Sequence, residues 1–223
     1  DREREQQVLV QGDLERHAAL VALLDAALEV FVAHGYHAAA MEDVAERAGI
    51  SKPVLYQHFD GKLELYLAIV DAQTEALTGL VRDALASTED HKERVYATIA
   101  AFFAFVDGPG GAYRLLFESD LTNEPAVRER LDATELGVAR MIADRIVRDT
   151  DLPEQFARLL GHSLAGLSQM TARAWLEHGS EIPRDAAAQA AGDASASSAG
   201  STSSDDEDIV DAEIVDDEND SDK

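Results

Sequence analysis

The chain has 223 residues and no cysteine, and its 44 acidic residues outnumber its 19 lysines and arginines, which gives a formal net charge of −25. The length allows one or two compact domains. The absence of cysteine excludes disulfides, thiolate metal sites and cysteine nucleophiles. Because so negative a chain repels nucleic acid, any contact with DNA must be local. From Pro183 onward, 13 acidic and two basic residues give a net charge of −11.

The first 182 residues are rich in alanine and leucine and poor in β-branched residues, a composition that favours an all-α fold. Residues 1–13 are polar and of mixed charge and are predicted to be a flexible arm. From Leu14, apolar residues recur at steps of three and four, which predicts an amphipathic helix that Gly35 ends. The helices predicted after it are 41–48, 52–59, 63–87, 94–106, 112–118, 125–148 and 153–178.

The C-terminal segment, residues 183–223, has a different composition. Alanine, serine and glycine dominate 188–204, and acidic residues dominate 205–223. Such a segment buries too little apolar surface to offset the entropy of ordering it. It is therefore predicted to be a disordered acidic tail, in which residues 185–191 are either the remnant of a final helix or part of a chain that has lost it.

The most informative stretch lies between Met41 and Lys62. Two short helices joined by a turn that contains Gly49 form a helix-turn-helix, within a domain predicted to span 14–62. Ser51 is a favourable N-cap for the second helix. Val54, Leu55 and Phe59 are expected to point inward by their spacing.

The outer face of the second short helix has the chemistry of a DNA contact. A lysine at position 52 opposes the helix macrodipole unless it meets an anion such as a phosphate. Tyr56, Gln57 and His58 can donate hydrogen bonds to phosphates or base edges. The predicted DNA-binding residues are Ser51, Lys52, Pro53, Tyr56, Gln57, His58 and Lys62. The residues alone equally allow a core helical pair with a solvated face.

A resemblance favours DNA binding. Gly35-Tyr36, Asp43-Val44-Ala45, Ala48-Gly49-Ile50-Ser51 and Leu55-Tyr56-Gln57-His58-Phe59, followed by Lys62, resemble the signature of TetR-family transcription regulators. The resemblance covers about 20–65. It implies that this unit binds the major groove and that the residues matching Ser51, Lys52, Tyr56, His58 and Lys62 contact DNA, mostly its backbone.

Two departures from the family pattern weaken the expected DNA contacts. Ala39-Ala40 stands where members of this family usually have a threonine or serine that caps the first short helix. Near the first long helix the only basic residues are Arg16 and His17, where a basic arm is common.

By the same resemblance, residues 63–182 form a helical domain that binds a ligand and mediates dimerisation. The candidate pocket residues are Phe102, Phe103, Tyr113, Phe117, Met141, His162, Gln169 and Trp175. On the last predicted helix, small residues at steps of four, three and four predict a self-complementary dimer face: Gly161, Ala165, Ser168 and Ala172.

The acidic tail carries a second resemblance. Residues 208–217, Asp-Ile-Val-Asp-Ala-Glu-Ile-Val-Asp-Asp, are similar to the C-terminal end of DnaK-type chaperones. Chaperone activity is not carried over, because no ATPase domain accompanies the segment.

The sequence therefore predicts a cytoplasmic, ligand-responsive repressor that binds an operator in double-stranded DNA as a homodimer and responds to a small apolar effector. No catalytic residue, metal ion or cofactor is predicted. No uninterrupted apolar run reaches the ~18 residues of a membrane span. The alternative is a helical protein-interaction module that has lost strong DNA binding.

Overall fold

The computed structural model of the chain describes residues 2–108, 111–177 and 181–200. These residues form nine α-helices and no strand, which confirms the all-α prediction. The helices are α1 (Arg2–Ala38), α2 (Met41–Arg47), α3 (Lys52–His58), α4 (Lys62–Ala86), α5 (His91–Val106), α6 (Ala112–Phe117), α7 (Pro125–Asp149), α8 (Glu154–Glu177) and α9 (Arg184–Gly200).

Helix α1 begins at Arg2, so the prediction of a flexible arm over 1–13 is wrong for residues 2–13. The glutamate, glutamine and arginine residues of this stretch are good helix formers, although they carry no apolar stripe by which to recognise a helix. The backbone leaves the helical region at Gly35, where φ is 72°, as the sequence predicts.

One described segment, Leu14–Ala38 within α1, is long and apolar enough to span a membrane by length and composition, with a mean hydropathy of 1.7. Its inward face is part of the protein core, because Leu23, Ala27 and Phe31 are all buried. Asp25 and Glu29 interrupt the apolar sequence. The segment is thus the core helix of the N-terminal domain.

Helix α4 connects the N-terminal three helices to the rest of the fold. It packs on α1 at its start and on α5 and α7 farther along, while α7 and α8 pack lengthwise against each other. The buried side chains of Leu65, Tyr66 and Ile69 continue the core of α1–α3 into that of the second part. A movement of α4 therefore changes the position of the first three helices relative to the rest of the fold.

A buried ionic network fixes the start of α5 to the end of α7. The Arg94 guanidinium donates to the Thr88 carbonyl oxygen at 2.6 and 3.1 Å and pairs with the Asp149 carboxylate. Burial raises the pKa of Asp149, but its hydrogen bond with Arg145 and the charges of Arg94, Arg145 and His91 outweigh burial and leave it lowered. Both arginines are therefore held by one ionised carboxylate.

The prediction of disorder from 183 is wrong for residues 184–200, which form α9, and the alternative of a remnant helix over 185–191 is the one that agrees with the structure. The remaining residues of the predicted tail, 201–223, including the chaperone-like 208–217, lie outside the described residues. Helix α9 packs mainly on α5 and also on α8.

The docking of α9 depends on its small residues. Ala187, Ala188 and Ala191 are buried, and a Cβ at Gly192 would lie 2.3 Å from the ring of Tyr96. Alanine has the highest helix propensity and loses no side-chain entropy on burial. A run that looks like a low-complexity linker can therefore form a helix that lies close to its neighbour.

The small-residue face of α8 packs against α7 of the same chain, which corrects its assignment to the dimer interface. A Cβ at Gly161 would lie 2.4 Å from the Ala139 carbonyl oxygen, and Ala172 is fully buried. Ala165 and Ser168 line an internal cavity. Small residues permit close approach of another helix, and here that helix is α7.

Candidate nucleic-acid interface

Helices α2 and α3 form the predicted helix-turn-helix. Helix α2 ends at Arg47, and Gly49 takes a left-handed conformation with φ 69° that a glycine adopts without strain. The Ile50 amide donates to the Ala45 carbonyl oxygen at 3.0 Å and closes the turn. Ala45 is buried in the core.

Helix α3 is held by its inner side chains. Leu55 is fully buried and Phe59, just past the helix end, is 7% exposed, as the spacing predicts. Val54 is 37% exposed, so its predicted inward position is wrong. In a helix of only seven residues the inward face is narrow, and Leu55 occupies it. The outer side chains are exposed: Ser51, Lys52, Pro53, Tyr56, Gln57 and His58.

Ser51 is the N-cap residue of α3, as predicted, but its side chain makes no capping hydrogen bond. The Ser51 backbone carbonyl oxygen accepts from the Val54 and Leu55 amides at 3.0 and 3.1 Å instead. The exposed hydroxyl is therefore not used to cap the helix.

Lys52 lies at the start of α3 and forms an ion pair with Glu42 of α2. The hydrogen bond between them raises the pKa of Lys52 and lowers the pKa of Glu42. The Lys52 ammonium also lies 5.8 Å from the ring centroid of Tyr56. The lysine that opposes the macrodipole thus has an anionic partner inside the chain.

Lys62 is engaged within the protein, and its predicted contact with a phosphate stays a prediction. Its ammonium donates to the carbonyl oxygens of Tyr36 at 2.7 Å, His37 at 3.2 Å and Ala39 at 2.9 Å. It also lies 4.7 Å from the ring centroid of Tyr36. An ammonium has three donors, and all three point to the C-terminal end of α1, where carbonyl groups favour a cation.

The start of α2 is capped despite the alanines. The Ala40 amide donates to the Asp43 carboxylate at 3.2 Å, which is one half of a capping box. The side chain of Ala40 cannot supply the other half. The departure at Ala39-Ala40 therefore leaves α2 formed but with one fewer capping bond.

Two polar contacts join the DNA-binding part to the second part. The Tyr66 hydroxyl lies 2.7 Å from Ser119 Oγ and 3.1 Å from the Leu115 carbonyl oxygen, and burial raises the pKa of Tyr66. The imidazole of His37 lies 3.5 Å from the Asp120 carboxylate. The segment after α6 is therefore tied to both α1 and α4.

A cavity of about 60 Å³ lies between helices α4 to α8. Three of the predicted pocket residues, Phe102, Phe117 and Gln169, line it. Its other lining residues are Thr74, Leu77, Val81, Thr98, Leu131, Thr134, Glu135, Val138, Ile142, Ala165 and Ser168. Sequence reasoning missed these residues as parts of the pocket. The signal that could have found some of them is a threonine within an apolar helix face, as in α4, α5 and α7.

The other five predicted pocket residues lie outside the cavity lining. The rings of Phe103 and Trp175 pack together with centroids 5.6 Å apart. Tyr113 packs against Phe117, which lines the cavity, at 4.9 Å. Met141 is half-buried against the core, and His162 is exposed.

Comparison with known proteins identifies this arrangement. The profile of the bacterial regulatory proteins of the tetR family matches residues 23–69. The transcriptional activator FasR of Mycolicibacterium smegmatis is 43% identical over 167 residues, which are 75% of this chain and 76% of FasR.

Solved structures agree on the fold. A TetR-like regulator from Rhodococcus sp. RHA1 has a TM-score of 0.63 and 25% identity, over 82% of this chain and 96% of that one. FadR of Bacillus subtilis, solved in complex with stearoyl-CoA, has a TM-score of 0.64 and 17% identity, over 79% of this chain and 97% of its own.

The match to FasR covers three quarters of both proteins. The members of this family regulate transcription by binding DNA and are not enzymes. The chain belongs to the TetR family and is a DNA-binding transcription regulator.

Proposed function

We propose that the chain binds an operator as a homodimer through α3 and that an apolar effector in the cavity between helices α4 to α8 controls this binding. The observation that carries the proposal is the exposed outer face of α3 above a buried Leu55. Such a helix is rigidly held and presents side chains that can donate hydrogen bonds in a major groove.

Selection from a random pool of double-stranded DNA tests this proposal. A dimer with two copies of α3 is expected to enrich an inverted repeat, because operator symmetry follows the two-fold symmetry of the protein. Gln57 is the α3 side chain best suited to a base edge, since an amide can pair with adenine in two hydrogen bonds. Enrichment of no common sequence would instead favour the helical protein-interaction module.

The dimer surface that the fold offers is the outer side of α8. Phe156, Leu159 and Met170 are 52%, 64% and 69% exposed, and the spacing of 156, 159 and 170 puts them on one side of the helix. Large apolar side chains exposed on one side of a helix favour that side as an interaction surface. Helix α9 packs on α5 of its own chain, so the dimer rests chiefly on α8.

Met170→Glu is expected to convert the dimer to a monomer, because it places an unpaired charge in an apolar interface. Operator affinity should fall with it, since a monomer contacts only one half-site. Light scattering and operator titration measure the two effects together. Leu80→Glu, at an exposed leucine of α4, is the matched control. A stable Met170→Glu dimer would place the interface elsewhere.

The cavity supports an effector with a long apolar portion. Its lining is mostly apolar and includes no lysine or arginine. The hydroxyl groups of Thr98, Thr134 and Ser168 already donate to carbonyl oxygens one turn earlier in their own helices. The stearoyl-CoA ligand of FadR, a protein of the same fold, has a long apolar chain. Since ligand pockets usually enclose about 300 Å³ or more, the cavity must widen when an effector enters.

Ala165→Phe is expected to fill the cavity and abolish the effector response while operator binding remains. The added ring occupies a volume comparable to the whole space of about 60 Å³. The measurement is operator binding with and without stearoyl-CoA as the probe. Ala133→Phe, on the exposed side of α7, is the control that keeps the cavity open. A full response in the Ala165→Phe variant would exclude this cavity as the effector site.

We also propose that regulation takes place in the cytoplasm, where the DNA is. The family resemblance implies that the chain represses transcription. FasR, the relative that matches over three quarters of its length, is however an activator. This likeness favours activation for the present chain. Expression of a reporter gene from a promoter that contains the operator, measured with and without the regulator, shows whether the regulator activates or represses.

A further inference from the structure

The cationic side chains of the helix-turn-helix are already occupied within the protein. Between Met41 and Lys62 the chain has three lysines or arginines. Lys52 pairs with Glu42, Arg47 donates to the Glu29 carboxylate at 2.6 Å, and Lys62 donates to three carbonyl oxygens. A regulator with a net charge of −25 therefore approaches DNA without an unpaired cation in this segment.

We propose that Glu42 is an intramolecular competitor for the DNA backbone, which occupies Lys52 in the free protein and thereby limits operator affinity. This inference rests on the proposed reading of the operator by α3. Binding then requires an exchange, in which a phosphate replaces the Glu42 carboxylate as the partner of Lys52.

The position of the pair suits such an exchange. Glu42 and Lys52 lie on opposite sides of the turn, and their side chains are 59% and 50% exposed. An ion pair in that much water is weak, so a row of phosphates can displace it. The displaced carboxylate stays beside the anionic backbone, where it continues to oppose binding.

The pair is not needed to hold the two helices together. Buried apolar side chains, Val44 and Ala45 of α2 and Leu55 of α3, form the contact between them. An exposed ion pair adds little to such a core. Glu42 can therefore be changed without loss of the fold, and the effect of its charge on DNA binding can be measured alone.

The test is operator binding by Glu42→Gln over a salt series, with operator obtained from the random-pool selection. At about 50 mM salt the variant is expected to bind about two- to fivefold more tightly, the range that an exposed ion pair allows. The slope of log affinity against log salt should steepen by about one, because in the wild type the displaced Glu42 carboxylate takes up a cation that offsets the one released from the phosphate, and in the variant it does not. The melting temperature should stay within error.

Two further variants make the result specific. Glu46→Gln removes the same charge from the same helix without touching the Lys52 pair, and it should leave both affinity and slope near wild type. Lys52→Gln should cancel the gain when it is combined with Glu42→Gln, because the gain acts through Lys52.

Three outcomes would overturn the inference: equal affinity of Glu42→Gln and wild type, an equal gain in Glu46→Gln, or a gain that persists without Lys52. These outcomes leave the proposed function intact as long as the wild type prefers its operator. A wild type that shows no preference for any sequence overturns the proposed function, and the inference falls with it.

Discussion

A truncation after Pro183 is expected to lower the melting temperature by about 5–10 °C. The truncation removes α9, whose Ala187, Ala188 and Ala191 are buried, and exposes the surface of α5 on which they pack. A loss of about 3 kcal/mol, as for a few buried methyl groups and the apolar surface that they cover, shifts the midpoint by about 2–4 °C per kcal/mol in a chain of this size. Thermal unfolding followed by circular dichroism measures it.

A truncation after Gly200 is the matched control for the loss of α9. It removes most of the acidic residues of the C-terminal segment and keeps the helix. Its melting temperature should equal that of the full chain, because so polar a segment has little surface to bury. If the chain that ends at Pro183 also has the melting temperature of the full chain, α9 contributes nothing to stability. That result is the one that the composition of α9 alone predicts.

Lys62→Met is expected to reduce operator affinity by about 100-fold without changing the salt slope. The variant removes the donor that three exposed or half-buried carbonyl groups at the end of α1 share, and a hydrogen bond to a charged group contributes about 1.5–3 kcal/mol. Helix α4 then loses its register on α1, and α3, which precedes it by three residues, loses its position. Titration of the operator at several salt concentrations gives both quantities.

Lys62→Arg separates positioning from phosphate contact. Arginine keeps the charge and binds phosphate well, but its planar fork cannot direct donors to the same three carbonyl groups. A positioning role therefore predicts impaired binding by Lys62→Arg, with an unchanged slope in both variants. If Lys62→Arg binds as wild type and Lys62→Met loses about one unit of slope, Lys62 contacts a phosphate directly.

The sequence predicts the helix-turn-helix correctly because its determinants are local. The left-handed Gly49, the inward Leu55 and the adjacent helix ends all lie within a few residues of one another. The role of Lys62 is not accessible in this way, since its partners are 23 to 26 positions earlier in the chain. Only the packing of α4 on α1 brings them together.

The C-terminal part shows where residue patterns are ambiguous. A stripe of small residues such as Gly161 and Ala172 predicts close helix contact, but it does not say whether the partner helix is in the same chain. An alanine-rich run without a large apolar residue looks the same in a linker as in α9. The cavity combines side chains from five helices, α4 to α8, so aromatic residues on any one of them predict only part of its lining.

The most direct test of the account compares the affinity for the selected operator with the affinity for a scrambled duplex, at about 50 and 200 mM salt. A regulator that reads DNA through α3 is expected to prefer its operator by about 1,000-fold or more at both concentrations. Tyr56→Ala combined with Gln57→Ala should lose most of this preference and keep its melting temperature, because both side chains are exposed. A wild type that binds the two duplexes equally, or a double variant that retains full preference, would contradict DNA reading by α3.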